Sequence, residues 1–434
     1  MADAASRLKG LLEQLLGTPV PVRVRAWDGS LAGPPGAPVL VVRNRRALRR
    51  LLWKPGELGL ARAWVAGDLD VEGDLYAALD ALAGLIWDRG EDARTLGQAL
   101  REPEVRAAVR GLFRLAGPGL PPAPPREEAR RRGHLHTRRT DRRAISHHYD
   151  VGNDFYEIVL GPSMVYSCAY WETPEGGDLE TAQRDKLELV ARKLALRPGQ
   201  RLLDVGCGWG SMAIHAAREH GVSVVGITLS QEQAAYARKR VADEGLTDRV
   251  EIRVQDYRDV RDGPFDAISS IGMAEHVGAE RYLAYAQDLY ALLRPGGRLL
   301  NHQIARRPRR DESSYHVDEF IDAYVFPDGE LAPLGTTVTQ LERAGFEVRD
   351  VESIREHYGL TLRQWVANLE ADWPRAMRLA GPGRARVWRL YMAASALAFE
   401  QNNIGVNQVL AVRTPDGPGD SGSSGMPLRA RMWK

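Results

Sequence analysis

Strand and helix signals alternate between residues 201 and 305, and this alternation restricts the possible folds more than any other feature of the chain. The run RLLDV at 201–205 is apolar enough for a buried strand, and SMAIHAAREHG at 211–221 has helical periodicity. Further strands are predicted at 222–230, 250–257, 265–273 and 298–305, and further helices at 231–245 and 279–297. The alternation predicts an α/β fold with a doubly wound, mostly parallel sheet and helices on both faces.

Two regions lie outside this alternation. Residues 306–400 predict a long, largely helical insertion ahead of a closing strand at 406–413. Residues 1–115 predict a small N-terminal α+β domain with a strand at 37–43 and glycine-broken helices over 56–79. The apolar face of its first helix packs either on its own domain or on a membrane surface. That face consists of Leu8, Leu11, Leu12, Leu15 and Leu16.

A segment rich in proline and glycine predicts a linker over 116–144, ahead of a main domain at 145–414 and a flexible tail at 415–434. Residues 126–143 hold eight arginines against three acidic residues. This basic stretch is either a solvated tether or a patch that attracts phosphates. Because no RNA- or DNA-binding pattern accompanies it, the stretch favours lipid headgroups over nucleic acid.

The cysteines and histidines limit the covalent and metal chemistry of the chain. Cys168 and Cys207 are too few for a disulfide framework or a four-cysteine zinc site, and they suit a reducing cytoplasm. His147 and His148 are adjacent and point apart, so without a suitably spaced third ligand no metal site is predicted. No signal peptide or bilayer-spanning apolar run is recognised, which predicts a cytoplasmic protein that is at most peripheral to the membrane.

The turn after the first strand of the main domain carries a specific motif. LLDVGCGWG places Asp204 ahead of Gly206, Gly208 and Gly210, and such glycines let the backbone approach a ligand closely. A glycine-rich turn alone is weak evidence, because dinucleotide enzymes use a similar one. NAD-binding turns follow G-x-G-x-x-G, whereas the D-x-G-x-G-x-G form here, which includes Cys207, resembles the first motif of S-adenosylmethionine (SAM) methyltransferases.

The resemblance to SAM methyltransferases continues at the next two strands. The second strand ends in GITLS, where these enzymes contact the ribose, and the chain offers Thr228 and then Gln233 where many of them have an acid. QDYRD follows the third strand, where Asp256 is expected to bind the adenine amino group and Tyr257 to stack on the ring. These positions predict SAM as the cofactor.

Three longer motifs resemble the cyclopropane fatty acid synthase family, which includes phospholipid cyclopropane synthases and mycolic acid methyltransferases. They are HHYDVGNDFYEIVLGPSMVYSCAYW at 147–171, GMAEHVG at 272–278 and YVFPDG at 324–329. The resemblance covers residues 145–412 strongly and the N-terminal domain more loosely. It implies a Rossmann-like SAM methyltransferase fold whose helical insertion binds lipid.

The family resemblance also implies a reaction. The cis double bond of an unsaturated acyl chain in a membrane phospholipid attacks the SAM methyl group and leaves a carbocation on the chain. Loss of a proton then closes a cyclopropane ring or, after a hydride shift, gives a methylene branch. Either outcome needs a base and exclusion of water, and the family uses a bound bicarbonate ion as the base. A homodimer is a further family expectation.

The resemblance assigns the bicarbonate site to five residues. They are Cys168, Glu275, His302, Tyr358 and Ile304, the last through its backbone. Taken alone, Glu275 has a simpler interpretation as a helix cap, and His302 and Tyr358 as structural hydrogen-bonding groups. Cys168 is not expected to act as a nucleophile, because alkyl transfer from a sulfonium needs no covalent enzyme intermediate.

Aromatic residues in the family motifs suit a carbocation, because ring faces stabilise nearby positive charge. The residues assigned to this role are Tyr170, Trp171, Tyr324 and Phe326, while Tyr166 and Ser167 are assigned to the cofactor. The alternative for the aromatic residues is ordinary core packing.

Ala274 departs from the family pattern. Phospholipid cyclopropane synthases have an aromatic residue just before the glutamate, and alanine removes bulk beside the proposed base. The departure resembles an actinobacterial branch that makes 10-methylene stearoyl lipids from oleoyl phospholipid, with a separate flavin-dependent reductase acting next. The sequence favours this product, with cyclopropane formation as the alternative. A methyltransferase for a soluble small molecule and a non-catalytic lipid-binding relative are less favoured.

Overall fold

The computed structural model describes residues 3–86, 102–129, 151–327 and 329–414. The chain divides into two compact units. The first comprises residues 1–131 together with two later segments, 318–327 and 380–397. The second comprises residues 132–317, 328–379 and 398–434. The predicted tail at 415–434 and most of the basic stretch lie outside the described residues.

The first unit contains a small four-stranded sheet and helices. Its helices are α1 (Ala4–Leu16), α2 (Arg46–Trp53), α3 (Glu57–Val65), α4 (Leu75–Ile86) and α5 (Pro103–Ala116). Its strands are β1 (Arg23–Arg25), β2 (Leu31–Ala32), β3 (Val39–Val42) and β4 (Leu69–Glu72). The strand order is β2-β1-β3-β4, and only the β1–β3 pair is parallel. The predicted α+β class of this region is confirmed.

Helix α1 packs against its own unit. Asp3 caps its first turn by accepting a hydrogen bond from the Ser6 N–H over 2.8 Å. Leu8 is buried in the core of the unit, and Leu11 and Leu12 pack against the same core. Of the two interpretations of this apolar face, packing on its own domain is therefore confirmed.

The second unit contains the larger sheet. Its strands are β5 (Arg201–Val205), β6 (Ser223–Thr228), β7 (Val250–Val254), β8 (Phe265–Ile271), β9 (Leu293–Arg306), β10 (Glu347–Ser353) and β11 (Ile404–Val412). Its helices are α6 (Asn153–Leu160), α7 (Leu179–Leu194), α8 (Ser211–His220), α9 (Gln231–Asp243), α10 (Tyr282–Leu292), α11 (Leu334–Arg343), α12 (Arg355–Ala371) and α13 (Trp373–Ala380). Helix α14 (Pro382–Glu400) runs through both units.

The seven strands follow the order β10-β11-β9-β8-β5-β6-β7. Every neighbouring pair within the group β5 to β9 is parallel. Strand β11 is antiparallel to both of its neighbours, β9 and β10. Helices cover both faces: Val190 and Ala213 of α7 and α8 belong to one buried cluster, and Leu289 and Leu341 of α10 and α11 belong to another. The prediction of a doubly wound α/β sheet is confirmed. Among the described residues, no helix is both long and apolar enough to cross a bilayer.

One strand was missed and two local predictions were wrong. The insertion at 306–400 is largely helical, as predicted, but contains strand β10, whose sequence EVRDVES has two valines among charged residues and no apolar run. Strand β4 lies inside the stretch predicted as glycine-broken helices over 56–79. The helix predicted over 279–297 ends at Leu292, because the chain enters β9 directly at Leu293.

The beginning of the basic stretch is folded. Glu128 accepts two hydrogen bonds from the Arg62 guanidinium, over 2.6 and 2.7 Å, and the Ala129 N–H donates to the Ala323 carbonyl. The interpretation as a solvated tether is therefore wrong for residues 126–129. The remaining arginines, at 130–143, lie outside the described residues.

Candidate active site and cofactor cleft

A cleft of about 950 Å³, counting its part open to solvent, lies in the second unit. Val205, Thr228 and Ile271 line it, and these are the last residues of β5, β6 and β8. Within the sheet, β6 lies next to β5 on one side and β8 lies next to it on the other, so the strand order reverses at β5. Open α/β sheets bind ligands at this kind of switch point.

The glycine turn forms one wall of the cleft. Gly206, Gly208 and Gly210 have φ angles of 76°, 54° and 84°, which residues with a side chain rarely adopt. Gly206 and Gly208 line the cleft together with Cys207. Gly210 does not line it: this residue precedes α8, and a Cβ there would lie 3.1 Å from the Ala237 Cβ. A side chain at position 210 would therefore be strained by the positive φ and would crowd Ala237 on α9.

Two buried charged groups lie at the same wall. Asp204 accepts a hydrogen bond from the Ser269 hydroxyl over 2.7 Å through Oδ1, and its Oδ2 has no hydrogen-bond partner among the described residues. Lys186 donates from Nζ to the Ser167 hydroxyl over 2.9 Å. Burial raises the pKa of Asp204 to about 6 and lowers the pKa of Lys186 to about 8. At neutral pH the wall therefore presents a carboxylate and an ammonium group.

Sequence reasoning missed Lys186. The residue lies on α7, where Gln183, Lys186, Val190 and Lys193 follow helical spacing and are all buried. The sequence did offer a signal, because Lys186 occupies a position with the spacing of a buried helical face. Lysine is rarely buried without a partner, so such a position indicates a functional or paired lysine.

The predicted ribose and adenine positions occupy the other end of the cleft. Thr228 donates to Gln233 Oε1 over 2.9 Å, and both residues line the cleft. Tyr257 lines it together with Gln255, which was not predicted. Asp256 does not line it. Its carboxylate accepts hydrogen bonds from the backbone and guanidinium N–H groups of Arg258. Tyr166 and Ser167 also line the cleft, so nine of the eleven residues predicted to bind the cofactor line it.

Glu275 lies in a short 3-10 turn, Ala274–His276, that follows β8. Its Oε1 accepts a hydrogen bond from the Ile304 backbone N–H over 2.8 Å, which joins this turn to β9. Its Oε2 is shielded from solvent and has no hydrogen-bond partner among the described residues. Burial raises the pKa of Glu275 to about 7. The structure therefore brings two of the five predicted base-site residues into direct contact and leaves one carboxylate oxygen available.

His302 lies two residues before Ile304 on β9 and is buried. Its Nδ1 is 3.4 Å from the amide nitrogen of Gln408 on β11, and its Nε2 has no hydrogen-bond partner among the described residues. Burial, with the positive charges of Lys186 and Lys193, lowers the pKa of His302 to about 3. The ring is therefore neutral, and donation from Gln408 to Nδ1 leaves Nε2 as an N–H donor.

Cys168 and Tyr358 both lie near the start of α12. The Cys168 Sγ lies 3.6 Å from the Ile354 carbonyl oxygen, and Tyr358 follows four residues later on α12. Burial raises the pKa of Cys168 well above its ordinary value, so the thiol stays protonated. This agrees with the expectation that Cys168 is not a nucleophile. The Tyr358 ring packs against Phe399, with centroids 4.6 Å apart.

The predicted aromatic residues fall in different units. In the second unit, Tyr170 stacks on His357 with ring centroids 4.7 Å apart, and the Trp171 N–H groups donate to His357. In the first unit, the buried Tyr324 donates its hydroxyl to Glu128 over 3.0 Å, and Phe326 contacts Tyr391 edge to face. Each ring has a packing partner, and a part in shielding a carbocation stays a prediction.

The chain resembles known lipid-modifying enzymes over most of its length. Residues 136–409 match the family model of mycolic acid cyclopropane synthetase. A protein of Mycobacterium tuberculosis named as a probable fatty acid methyltransferase is 46% identical over 420 residues, which cover 94% of each chain. The tuberculostearic acid methyltransferase UfaA1 of the same organism is 32% identical, over 96% of this chain and 93% of the relative.

Two further comparisons bear on the main domain. The cyclopropane-fatty-acyl-phospholipid synthase of Escherichia coli is 40% identical over 61% of this chain and 66% of its own length. The crystal structure of the mycolic acid cyclopropane synthase CmaA1 with SAH and CTAB superposes with a TM-score of 0.59 at 33% identity, over 62% of this chain and 98% of that one. Together with the cleft, these matches show that the chain belongs to the mycolic acid cyclopropane synthetase family and is a SAM-dependent methyltransferase of lipid acyl chains.

Proposed function

We propose that the enzyme adds a one-carbon unit from SAM to the cis double bond of an unsaturated acyl chain in a membrane phospholipid. We also propose that a bicarbonate ion held by Cys168, Glu275, His302, Ile304 and Tyr358 removes the proton that ends the reaction. One observation carries this proposal: Glu275 is fixed through Oε1 by the Ile304 N–H over 2.8 Å, while its buried Oε2 remains available.

The buried Glu275 Oε2 is an acceptor and the buried His302 Nε2 is a donor, and this pair supports binding of an oxyanion that carries a hydroxyl group. The Oε2 atom of an ionised Glu275 can accept a hydrogen bond from that hydroxyl, and the neutral His302 can donate from Nε2 to an anionic oxygen. Both groups are shielded from solvent, which favours proton transfer without capture of a carbocation by water. The bound cofactor supplies the electrophilic methyl group, and Asp204 with Lys186 would hold its charged amino-acid end.

We propose a methylene branch as the product, namely 10-methylene stearoyl from oleoyl phospholipid. Ala274 is buried next to Glu275, in a cluster with Val277 and Tyr282, and its methyl group gives less bulk there than an aromatic residue would. The similarity to a tuberculostearic acid methyltransferase supports this product, and a flavin-dependent reductase would act next. Cyclopropane formation is the second candidate, supported by the similarity to a cyclopropane-fatty-acyl-phospholipid synthase.

We further propose that the protein acts as a homodimer in the cytoplasm at the inner face of the membrane, and that the arginines at 130–143 attract lipid phosphates. Replacing several of them with alanine should weaken binding to anionic vesicles, and the difference from wild type should shrink as salt is raised. Equal vesicle binding by both proteins at low salt would assign this stretch to a passive linker.

The decisive experiment combines the protein, SAM, bicarbonate and vesicles of oleoyl phosphatidylglycerol. Mass spectrometry of the released acyl chains should show a gain of one CH₂ group, and proton NMR should separate exocyclic methylene protons from cyclopropane protons. Matched vesicles with saturated chains serve as the control. Absence of a mass gain on every unsaturated lipid tested would overturn the proposed substrate, and a ring signal alone would replace the methylene product with cyclopropane.

A further inference from the structure

A cluster of metal-ligating side chains lies away from the cofactor cleft. Glu188 on α7 converges with His215 and His220 on α8, and none of the three lines the cleft. The Glu188 Oε2 is 3.3 Å from the His215 Nε2 and 2.9 Å from the His220 Nε2. One ligand atom from each residue lies within 4.8 Å of the other two. Three potential metal-ligand atoms from two helices therefore lie close enough together to coordinate a single ion.

The distances suit a small divalent ion. Zinc binds imidazole nitrogen and carboxylate oxygen at about 2.0–2.1 Å, so neighbouring ligand atoms of a tetrahedral site lie about 3.3 Å apart. The separation of Glu188 Oε2 from His215 Nε2, 3.3 Å, equals that value, and its separation from His220 Nε2, 2.9 Å, needs only a small outward shift to admit an ion. Two histidines and one glutamate, with water as the fourth ligand, form a set that zinc accepts.

The surroundings leave the cluster accessible. Arg192 occupies the other carboxylate oxygen of Glu188 over 2.9 Å, which directs Oε2 at the two rings. The His215 side chain is buried, whereas those of His220 and Glu188 are 18% and 29% exposed. An ion and a water ligand can therefore enter from one side. Nearby charges offset each other, because Arg218 pairs with Glu219 over 2.7 Å.

We propose that Glu188, His215 and His220 bind a divalent zinc-type ion that fastens α7 to α8. Both helices border the cofactor cleft: Lys186 lies two residues before Glu188, and α8 begins after the glycine turn. Because the ligands come together only in the folded chain, ion binding stabilises the folded state by mass action.

The test uses full-length protein, stripped with a chelator and free of any histidine tag. Titration with Zn²⁺ against a chromophoric chelator should show one site with a dissociation constant in the micromolar range or tighter, and Zn²⁺ should raise the melting temperature. Co²⁺ should give the visible absorption bands of a four-coordinate ion. His220→Gln and Glu188→Gln should each weaken binding about tenfold or more, whereas His316→Gln, which changes an exposed histidine elsewhere, should not.

Two outcomes would overturn the site. The first is absence of micromolar Zn²⁺ binding and of Co²⁺ bands in the wild-type protein. The second is wild-type affinity in both His220→Gln and Glu188→Gln, because any bound ion would then sit elsewhere. If the variants melt at a lower temperature but the wild type gains no stability from Zn²⁺, the cluster is a hydrogen-bonded helix contact and the proposal fails.

Discussion

The ammonium group of Lys186 donates a hydrogen bond to the Ser167 hydroxyl over 2.9 Å inside the cleft wall. This bond links α7 to the segment that carries Tyr166 and Cys168, and it places a buried positive charge near Asp204 and His302. Burying a lysine is costly unless its charge is paired or hydrogen-bonded, and Lys186 lines the cofactor cleft, which makes it a candidate positioning residue for the cofactor.

Lys186→Met is expected to weaken SAM binding about tenfold to a hundredfold, the range for loss of a charged hydrogen bond. Without the ammonium group, the pKa of Asp204 rises further and the segment at Ser167 loses its anchor. Calorimetric titration with SAM measures the change. Lys193→Met is the matched control, because Lys193 is equally buried on the same helix but pairs with Glu352 and does not line the cleft. Equal SAM affinity in both variants would remove Lys186 from the cofactor site.

Glu275→Gln is expected to keep SAM affinity and to lower turnover by about a hundredfold or more, the usual contribution of a positioned acid–base group. The amide keeps an oxygen for the Ile304 N–H but cannot supply a negative charge to orient a bicarbonate hydroxyl. Steady-state assays on oleoyl vesicles, run with and without added bicarbonate, measure the loss. Wild-type turnover in this variant would contradict the proposed base site.

Turnover is expected to rise with pH through about 7, because burial raises the pKa of Glu275 to that value and the ionised form is required. The same raised pKa means that Glu275 contributes stability below its unfolded value of 4.5 and loses that contribution as the pH rises through about 7. A pH–rate profile of kcat for wild type and Glu275→Gln checks the first point. If kcat rises at the same pH in both proteins, the titrating group is not Glu275.

Ala274→Phe is expected to shift the product from methylene branch toward cyclopropane ring. The larger side chain would crowd the turn that carries Glu275 and change which proton the base reaches. Because Ala274 is buried, overpacking is expected to cost about 1–3 kcal/mol of stability, so thermal melting must show that the variant is folded. Ala274→Val is the control for added bulk without an aromatic ring. An unchanged product ratio in folded Ala274→Phe would exclude this position as the determinant.

Much of the fold could be predicted, because buried parallel strands and the helices between them leave strong apolar signals. Strand β10 escaped because it lies at the sheet edge and needs few apolar residues. The glycine turn at Gly206 and Gly208 was visible because its backbone conformation demands glycine. The nearness of Ala237 to Gly210 and the hydrogen bonds between Asp256 and Arg258 could not be predicted, because the sequence shows a residue's position in a motif and not its neighbours in the fold.

Contacts between separate elements account for the other omissions. Lys186 follows the spacing of a buried helical face, and only the folded chain shows its partner, Ser167. Glu188 and His215 are separated by 26 intervening residues and a strand, so nothing in their spacing indicated that they meet. The link between Glu275 and Ile304 was implied only by family resemblance, because it depends on how β8 and β9 end.

Strand β10 also affects how the protein meets copies of itself. An edge strand exposes unpaired backbone groups that can recruit a strand from another molecule. Here the ladder is broken by an irregularity between Val348 and Asp350, and Asp350 with Glu352 turns inward to the buried Lys193. A foreign strand would meet an uneven, charged edge. This edge is therefore a poor template for the addition of a strand from a second molecule.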